Sequence, residues 1–318
     1  MRILNTIRKE YPQEAQNILK KLGMVYYREF SQKELARYIG EYDAAVIGLG
    51  LTFDKEVLAQ AKNLKVIATA TTGLDHIDLE EAKKSGIEVL SLSGETAFLN
   101  TITGTAELAA GLMIELLRRT PHAFESVKKY EWNRDAFRGH NLYGQTLGIV
   151  GMGRLGKWMA RYGQAFGMNV LFSDTHVKKA LRWLKRVSFD TLLRESDVIS
   201  IHVHLSKDTE GMFGVHEFAR MKKSAYLINT SRGKIVDERA VLNALEKKKI
   251  AGYATDVLAD ELSFGKKFVQ HPLVEYAKKN QNLIIVPHIG GMTEESRTAT
   301  DVFMVKKLKK YVHVKRLK

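Results

Sequence analysis

Short apolar runs alternate along the chain with segments in which apolar residues recur every three or four positions. Such runs predict buried strands, and the longer periodic segments between them predict helices that cover a sheet. The apolar runs lie at residues 2–5, 24–27, 44–48, 64–68, 88–90, 146–150, 169–172, 198–203, 226–229, 251–255 and 283–286. This alternation, in two successive blocks, is typical of α/β domains built on parallel sheets.

Capping residues place several helix boundaries. Ser31 with Glu34 and Asp78 with Glu81 have the spacing of a capping box. Asp54 and Asp237 are placed to cap the helices that follow them. Further helices are predicted at residues 98–119, 121–130 and 294–311, and the last of these is amphipathic.

A glycine loop joins the first strand of the second block to its helix. It reads Gly151-Met152-Gly153-Arg154-Leu155-Gly156. The first glycine permits a sharp turn, the second lets a pyrophosphate approach the backbone, and the third lets the helix pack close to the sheet. The N–H groups and the positive dipole end of the helix would bind the phosphates. The loop therefore predicts a dinucleotide site.

Asp174 follows the next strand, 18 residues after Gly156. A carboxylate at this place accepts hydrogen bonds from the adenosine ribose and repels the additional phosphate of NADP. The predicted cofactor is therefore NAD, with NADP disfavoured. An NADP-dependent reductase stays open as an alternative because His176, Lys178 and Lys179 lie nearby in the sequence.

Composition narrows the class of protein. The 318 residues are 45% hydrophobic and 27% charged, which is typical of globular domains and enough for two of them. The absence of cysteine excludes disulfides, thiolate metal sites and cysteine nucleophiles, and no metal site is predicted. The N-terminal residues lack the apolar run of a signal peptide, and the apolar run at 108–117 contains Glu115 and is too short for a bilayer. A cytoplasmic protein without a membrane partner is the expectation.

The net charge of +14 would attract nucleic acid, acidic membranes or small anions, and charge alone does not choose among them. Lysine clusters such as 247–249 and 306–307 are typical of solvated helix faces. Nucleic acid is therefore not an expected partner. Trp132, Phe137 and Tyr143 in the irregular segment 131–144 mark either a subunit contact or a cover over the core.

Candidate chemical groups follow three predicted strands of the second block. Arg232 lies in Thr230-Ser231-Arg232-Gly233, Asp256 and Glu261 follow the next strand, and His288 follows the last. Ligands of open parallel sheets bind outside the carboxyl ends of the strands. A guanidinium can hold a carboxylate through two hydrogen bonds, and a histidine can exchange a proton at neutral pH. Each residue alone is weak support, but together with the cofactor loop they indicate a nicotinamide-dependent oxidoreductase.

The chain resembles the D-isomer-specific 2-hydroxyacid dehydrogenases over nearly its full length, with phosphoglycerate dehydrogenases and hydroxypyruvate reductases among them. The resemblance rests on motifs that occur in the order of that family. They are ATTGLDHID from Ala70, GMGRLG from Gly151, HVHLSKDT from His202, MKKSAYLINTSRGKIVD from Met221, AGYATDV from Ala251 and VPHIGG from Val286. The chain looks much less like the L-lactate dehydrogenase type.

The resemblance implies a fold and a division of the chain. It implies an α/β protein of two Rossmann-like domains, each a doubly wound parallel sheet, with a cleft between them. Residues 1–97 with 292–318 would form a flavodoxin-like substrate-binding, or catalytic, domain. Residues 98–291 would form the NAD-binding Rossmann domain. Relatives are commonly dimers through the cofactor domain, so a homodimer is expected by resemblance.

The resemblance also implies catalytic roles. Arg232 would bind the substrate carboxylate and polarise the 2-oxo group, and His288 would donate the proton in one direction and accept it in the other. Glu261 would orient His288 and favour its protonated form. The backbone N–H groups of Thr72 and Gly73 would hold the substrate carboxylate from the other domain.

Cofactor contacts follow from the same motifs. Arg154 and Leu155 would lie along the pyrophosphate, His204 and Thr209 beside the adenosine, and Asp256 beside the nicotinamide amide. The full predicted set of cofactor-binding residues is Gly151, Gly153, Arg154, Leu155, Gly156, Asp174, His204, Thr209, Thr230, Ser231, Arg232, Asp256, His288, Gly290 and Gly291.

Departures from the family pattern affect the expected substrate. Leu262 follows the glutamate, where the family often has proline, and His204 also stands where proline is frequent. Asp260 lies beside Glu261, so either acid could be the partner of His288. Residues 263–270, with Lys266 and Lys267, resemble an enlarged loop. The segment 48–53 has no basic residue, which favours a small unphosphorylated 2-oxo acid near Leu49, Leu51 and Leu74.

Two other functions stay open at this point. A cofactor-sensing binding protein, like the corepressors related to this family, would keep the fold without significant turnover. A 3-phosphoglycerate dehydrogenase would use the same chemistry on a phosphorylated substrate. The expected partner of the leading hypothesis is a small anionic 2-oxo or 2-hydroxy acid.

Overall fold

The computed structural model describes residues 1–7, 11–177, 183–261, 264 and 270–316. The strands are β1 Arg2–Asn5, β2 Met24–Tyr27, β3 Ala44–Ile47, β4 Val66–Thr69, β5 Glu88–Leu90, β6 Thr146–Val150, β7 Asn169–Ser173, β8 Lys185–Arg186, β9 Val198–Ile201, β10 Tyr226–Asn229, β11 Gly252–Thr255 and β12 Leu283–Ile285. The helices are α1 Gln13–Leu22, α2 Gln32–Tyr38, α3 Lys55–Gln60, α4 Leu79–Lys84, α5 Thr96–Leu99, α6 Gly104–Arg118, α7 Thr120–Val127, α8 Arg154–Ala165, α9 Phe189–Glu195, α10 Val215–Arg220, α11 Glu238–Glu246, α12 Pro272–Ala277 and α13 Glu294–Arg316. Short 3-10 turns occur at Ile39–Glu41, Arg134–Phe137 and Gly233–Ile235.

The chain divides into two compact units. Unit 1 comprises Met1–Ile102 and Thr293–Lys318, and unit 2 comprises Thr103–Met292. The predicted α/β class with two parallel sheets is confirmed, since each unit holds one sheet.

Unit 1 is built on a sheet with the strand order β2-β1-β3-β4-β5, and every pairing is parallel. This order is that of flavodoxin-like sheets. Successive residues of a strand point to opposite faces, so Ile3 packs on the face with α1 and α13 while Leu4 packs on the face with α2 and α3. Both faces are covered, which explains why the strands read as continuous apolar runs.

Unit 2 is built on a parallel sheet with the order β12-β11-β10-β9-β6-β7-β8. Counted from β6, the first six strands have the order of a Rossmann sheet, with the seventh added beyond the sixth. Ile149 and Ile228 face the core shared with α6 and α8, whereas Val150 and Leu227 face α9, α10 and α11. The carboxyl ends of β6, β9, β10, β11 and β12 therefore lie along one edge of the sheet.

The predicted helix caps at four positions are present. Ser31 and Glu34 form the reciprocal capping box, and the side chains of Asp54 and Asp237 accept backbone N–H groups of the helices that follow. The box predicted for Asp78 and Glu81 is present only in part, since Asp78 accepts from Glu81 N without a reciprocal bond. Each cap satisfies N–H groups that have no partner within the helix.

The prediction of a single helix over 98–119 is wrong. The segment contains α5 and α6, separated by a turn in which Thr101 N–H donates to Phe98 O and Ile102 N–H to Leu99 O. The Thr101 hydroxyl also donates to Phe98 O at 2.8 Å, so it competes with the helical hydrogen bonds of the backbone. The helices predicted at 121–130 and 294–311 are present with different ends, since α7 ends at Val127 and α13 continues to Arg316.

Among the described residues, Thr96–Arg118 is long and apolar enough to cross a membrane by length and composition alone. That stretch is divided between α5 and α6. Ala109, Leu112, Met113 and Leu116 of α6 are buried in the core of unit 2, so packing within the chain accounts for their apolar character.

Candidate active site

The glycine loop leaves β6 and enters α8 as a close turn. Gly151 has φ 92°, in the left-handed region, and a β-carbon there would lie 2.5 Å from the carbonyl oxygen of His202. A β-carbon on Gly156 would overlap the carbonyl oxygen of Gly151. A β-carbon on Gly153 would instead meet nothing within 4 Å. The loop is therefore tight where helix and strand meet and open above Gly153, which is the space that a pyrophosphate needs.

The helix α8 begins directly at this opening. Arg154 and Leu155 are its first residues and are half-buried, and Gly153 is its N-cap. The N-cap Gly153 has no side chain to cap α8, and the space above it is open. Such an N-terminus binds anions through the first N–H groups of the helix and the helix dipole.

The side chain of Asp174 ties the end of β7 to the glycine loop. Its Oδ2 accepts from Met152 N at 2.7 Å, and its Oδ1 accepts from His176 N and Val177 N, both at 2.7 Å. Burial raises the pKa of Asp174, but hydrogen bonds from Val177, Met152 and His176 outweigh it and lower the pKa below its usual value. The carboxylate is therefore ionised at neutral pH. His176 lies beside Asp174, whereas Lys178 and Lys179 are outside the described residues.

The segment after β9 is held by its own hydrogen bonds. Thr209 Oγ1 donates to His204 O at 2.6 Å and accepts from Ser206 N at 2.8 Å. His204 is exposed, and Thr209 is half-buried. The predicted pair of adenosine contacts therefore belongs to one ordered turn at the carboxyl edge.

His202, at the start of that segment, has no role in the sequence prediction, although it opens a motif used there. Its backbone N–H donates to Val150 O at 2.7 Å, and its Nε2 lies 2.8 Å from Ser200 Oγ. Burial lowers the pKa of His202 to about 4. The backbone carbonyl of His202, not its ring, packs against Gly151.

Arg232 follows β10 in a connection that is fixed at several points. Ser231 Oγ donates to Ile201 O at 2.8 Å, and Asn229 Nδ2 donates to Arg232 O at 3.0 Å. Arg232 Nη1 donates to Ser231 O at 2.8 Å. Thr230 is buried, and its hydroxyl has no partner among the described residues. The guanidinium thus sits on a rigid backbone at the carboxyl edge of the sheet.

His288 and Glu261 form a hydrogen-bonded pair. His288 Nδ1 lies 2.6 Å from Glu261 Oε1, and the two side chains are 28% and 21% exposed. His288 has φ 52°, a left-handed conformation that is uncommon outside glycine and that often occurs at functional sites. Of the two acids considered, Glu261 carries this bond, while Asp260 lies 3.8 Å from Lys234.

Asp256 holds the turn that carries His288. Its Oδ1 accepts from Ile289 N at 2.6 Å, and its Oδ2 accepts from Gly290 N at 2.9 Å. Burial raises the pKa of Asp256 in spite of these hydrogen bonds. A β-carbon on Gly290 would lie 2.9 Å from Asp256 Oδ2, so glycine allows this approach. The sequence prediction missed this supporting contact, for which the two glycines after His288 were the available signal.

The predicted substrate contacts Thr72 and Gly73 belong to unit 1. Thr72 and Gly73 follow β4 in unit 1, where Thr71 Oγ1 donates to Gly73 O at 2.8 Å. Leu262, most of the predicted loop 263–270 and both of its lysines lie outside the described residues. Among the described residues, no group of three or more histidines, cysteines or acids is arranged to hold a metal ion.

A Rossmann-type sheet, an open glycine loop at a helix N-terminus and an acid after the second strand define a dinucleotide-binding domain. The sequence model described as "D-isomer specific 2-hydroxyacid dehydrogenase, NAD binding domain" matches residues 110–290. The chain belongs to the D-isomer-specific 2-hydroxyacid dehydrogenase family, as its motifs predicted, and this region is its NAD-binding domain.

Individual relatives include enzymes with different named substrates. A D-3-phosphoglycerate dehydrogenase of Archaeoglobus fulgidus is 38% identical over 90% of this chain and 53% of its own length. A glyoxylate reductase of Thermococcus litoralis is 38% identical over 86% of this chain and 82% of its own length. The structure of a D-lactate dehydrogenase of Aquifex aeolicus, complexed with NAD and lactic acid, is 31% identical, with a TM-score of 0.83 and coverage of 98% and 96% of the two chains. The chain spans about half the length of the phosphoglycerate dehydrogenases that it matches.

Proposed function

We propose that the protein interconverts a small D-2-hydroxy acid and its 2-oxo acid with NAD as the cofactor. The observation that carries the proposal is the hydrogen bond of 2.6 Å between His288 Nδ1 and Glu261 Oε1, at the sheet edge of an NAD-binding domain. A histidine oriented by a carboxylate is the pair that proton transfer to and from a substrate oxygen requires.

The proton transfer uses one nitrogen of His288. Because Nδ1 is engaged by Glu261, Nε2 is the atom that donates a proton to the substrate oxygen during reduction and accepts it during oxidation. The Glu261 carboxylate stabilises the imidazolium and fixes the plane of the ring. The nicotinamide ring, when bound, supplies or accepts the hydride.

Arg232 binds the carboxylate of the substrate in this proposal. Its planar guanidinium offers parallel N–H groups, and the hydrogen bonds of Asn229 and Ser231 hold the backbone beneath it. The resemblance predicts that backbone N–H groups of Thr72 and Gly73 also bind this carboxylate. A substrate held by its carboxylate has its 2-oxo group fixed relative to the proton donor, which lowers the entropy cost of reaction.

The preference for NAD over NADP rests on Asp174. Its carboxylate is ionised and lies beside the glycine loop. Oδ1 accepts two backbone N–H groups and Oδ2 accepts one, so Oδ2 has a second lone pair for a ribose hydroxyl. The additional phosphate of NADP would approach this negative charge closely.

The substrate is small and unphosphorylated in the leading version of the proposal. Leu51 and Leu74 pack against the core of unit 1, and Leu49 is 43% exposed. Of the three leucines predicted to contact the substrate, mainly Leu49 is therefore accessible. A phosphorylated substrate is the second candidate, supported by the identity to D-3-phosphoglycerate dehydrogenases.

The proposed assembly is a homodimer through unit 2. Phe124 of α7 and Tyr130, Trp132 and Tyr143 after it are between 64% and 100% exposed. We name these four residues the aromatic surface. Of the three aromatic residues of the two earlier interpretations, Trp132 and Tyr143 are exposed, which favours the subunit contact, whereas Phe137 is half-buried.

Consumption of NADH by the purified protein tests the function. The panel contains glyoxylate, pyruvate, hydroxypyruvate, 3-phosphohydroxypyruvate and branched 2-oxo acids. We expect turnover of at least one unphosphorylated compound and a loss of about 10²- to 10⁴-fold in kcat for His288→Ala, with little change in NADH binding. Clear preference for the phosphorylated compound would replace the leading substrate with the second. Binding of NADH without any turnover would favour the cofactor-sensing function.

A further inference from the structure

The segment that carries Glu261 is a tight turn. Glu261 N–H donates to Leu258 O at 3.4 Å, and the Glu261 carboxylate accepts from Leu258 N at 3.2 Å. One oxygen of Glu261 thus holds the turn while the other holds His288. The position of the Glu261–His288 pair therefore depends on where the turn at residues 258–261 is fixed.

A carboxylate from another element fixes that turn. Glu238, the first residue of α11, accepts from Ala259 N at 2.9 Å through Oε1. Its Oε2 lies 3.2 Å from Nε2 of His271, the residue directly before α12. The side chains of Glu238 and His271 are 24% and 14% exposed, so both oxygens act in a largely desolvated setting where hydrogen bonds are strong.

The other side of the same turn lies against the connection that carries Arg232. A β-carbon on Gly233 would overlap the backbone of Leu258 and Ala259, so the two segments can pack this closely only because residue 233 has no side chain. The Ala259 peptide is thus held between Gly233 and the Glu238 carboxylate. His271 also contacts the segment after the turn, because the ring of Phe264 lies edge-on to its imidazole with a centroid separation of 6.0 Å.

We propose that Glu238 is a positioning residue for the Glu261–His288 pair. It fixes the turn at 258–261 through Ala259, and His271 in turn orients the Glu238 carboxylate. The proposal rests on the function proposed for His288, since its consequence is the efficiency of proton transfer. Misplacing an acid/base group by about 1 Å can cost on the order of 100-fold in rate, so a contact of this kind has a measurable effect.

Kinetics distinguishes positioning from general stability. We expect Glu238→Ala to lower kcat by about 10- to 100-fold while KM for the 2-oxo acid and NADH binding change little.

Two matched variants complete the comparison. Glu238→Gln keeps an oxygen that can accept from Ala259 N, so it should recover most of the lost kcat. Glu246→Ala removes an exposed carboxylate from the other end of α11 and should leave kcat and KM unchanged. In the background of Glu261→Gln, the Glu238→Ala substitution should have little further effect on kcat, because the contact that it positions is already lost.

A spectroscopic readout tests the proposal without turnover. The short hydrogen bond of His288 Nδ1 should give a far-downfield proton resonance in the wild-type protein, and Glu261→Gln should abolish it. Glu238→Ala should weaken or shift this resonance, and Glu246→Ala should not. If the resonance and the kcat of Glu238→Ala match those of the wild type, Glu238 has no positioning role. If the resonance responds but no 2-oxo acid is reduced, the positioning role holds and the proposed activity fails.

Discussion

At the residue scale, Asp174 has a structural role in the protein and a proposed role in cofactor binding. Three backbone N–H groups already bind its carboxylate, and they keep it charged. Two of them fill Oδ1, so the proposed ribose contact is made by Oδ2. In this proposal the contribution of Asp174 to cofactor choice is electrostatic as well as structural.

Replacing Asp174 by alanine should remove the discrimination against NADPH. Loss of charged hydrogen bonds should weaken NADH binding by about 1.5–3 kcal/mol, while NADPH binding should weaken less because the repulsion is removed too. Fluorescence titration of both reduced cofactors measures the ratio of their Kd values. Asp135→Ala, an exposed acid in the same unit, serves as the control. An unchanged ratio in Asp174→Ala would show that another residue selects the cofactor.

Asp301 in α13 provides a second prediction at this scale. It is 2% exposed and pairs with Arg297 Nη2 at 3.0 and 2.9 Å. Burial raises the pKa of Asp301 to about 6, although the charge of Arg297 and its hydrogen bond oppose this shift. The folded state therefore binds the proton more tightly than the unfolded state does, and this stabilisation is lost as pH rises from about 4 through about 6.

The free energy of unfolding should show this loss as a difference between two proteins. The wild type should lose about 3 kcal/mol from Asp301 across that range, whereas Asp301→Asn should not. Urea titrations of both proteins between pH 4 and pH 7 measure the difference directly. A difference that stays constant with pH would mean that Asp301 ionises as freely in the folded protein as in the unfolded one.

At the element scale, the junction of β6 and α8 separates folding from binding within one loop. Gly156 lies where α8 approaches the backbone of Gly151, so it is required for packing. Gly153 lies over open space with an ordinary φ of −72°, so folding alone does not require glycine there. The two glycines are alike in the sequence motif and differ only in their surroundings.

Alanine at each position should therefore give opposite results. Gly156→Ala should destabilise the protein by about 1–3 kcal/mol, because its β-carbon would overlap a carbonyl oxygen. Gly153→Ala should leave the Tm nearly unchanged and weaken NADH binding, since the β-carbon would enter the space proposed for the pyrophosphate. Thermal unfolding and NADH titration of both variants form the test. Equal NADH affinity in Gly153→Ala and the wild type would place the cofactor elsewhere.

The elements that the sequence predicted correctly are those with strong local signals. Buried strands on both faces and capped helices such as α2 and α11 depend on residues that are close in sequence. The strand β8 gave no such signal, since Lys185 and Arg186 are exposed and polar at the edge of the sheet. The break between α5 and α6 was also missed, because Thr101 ends the helical pattern through hydrogen bonds and not through glycine or proline.

The same limit applies to the candidate site. The motifs made Arg232, Glu261 and His288 the candidates, and only the resemblance favoured Glu261 over Asp260 as the partner of His288, which the structure places in hydrogen-bond contact. The supporting contacts of Asp256 and Glu238 join segments that are far apart in the chain, by backbone N–H groups that every residue type carries. Such contacts are determined by tertiary packing, so a single sequence does not reveal them.

At the scale of the whole molecule, charge and apolar surface oppose each other in assembly. Each chain carries a net charge of +14, so two chains repel at low ionic strength. The aromatic surface supplies the opposing attraction, since large aromatic side chains dominate the energy of most interfaces. The proposed dimer should therefore be tighter at higher salt, when the repulsion is screened.

Sedimentation of the purified protein at two salt concentrations tests this balance. We expect a dimer whose dissociation constant falls as sodium chloride rises from roughly 0.05 to 0.5 M, because the Debye length shortens from above 10 Å to a few ångströms. Trp132→Glu should yield a monomer, since it places a charge at an 88% exposed aromatic position of the surface. Val215→Glu, at a 60% exposed apolar position on α10, should leave the dimer intact. A dimer that survives Trp132→Glu, or one that weakens with salt, would mean that the subunits meet through charged contacts elsewhere on the chain.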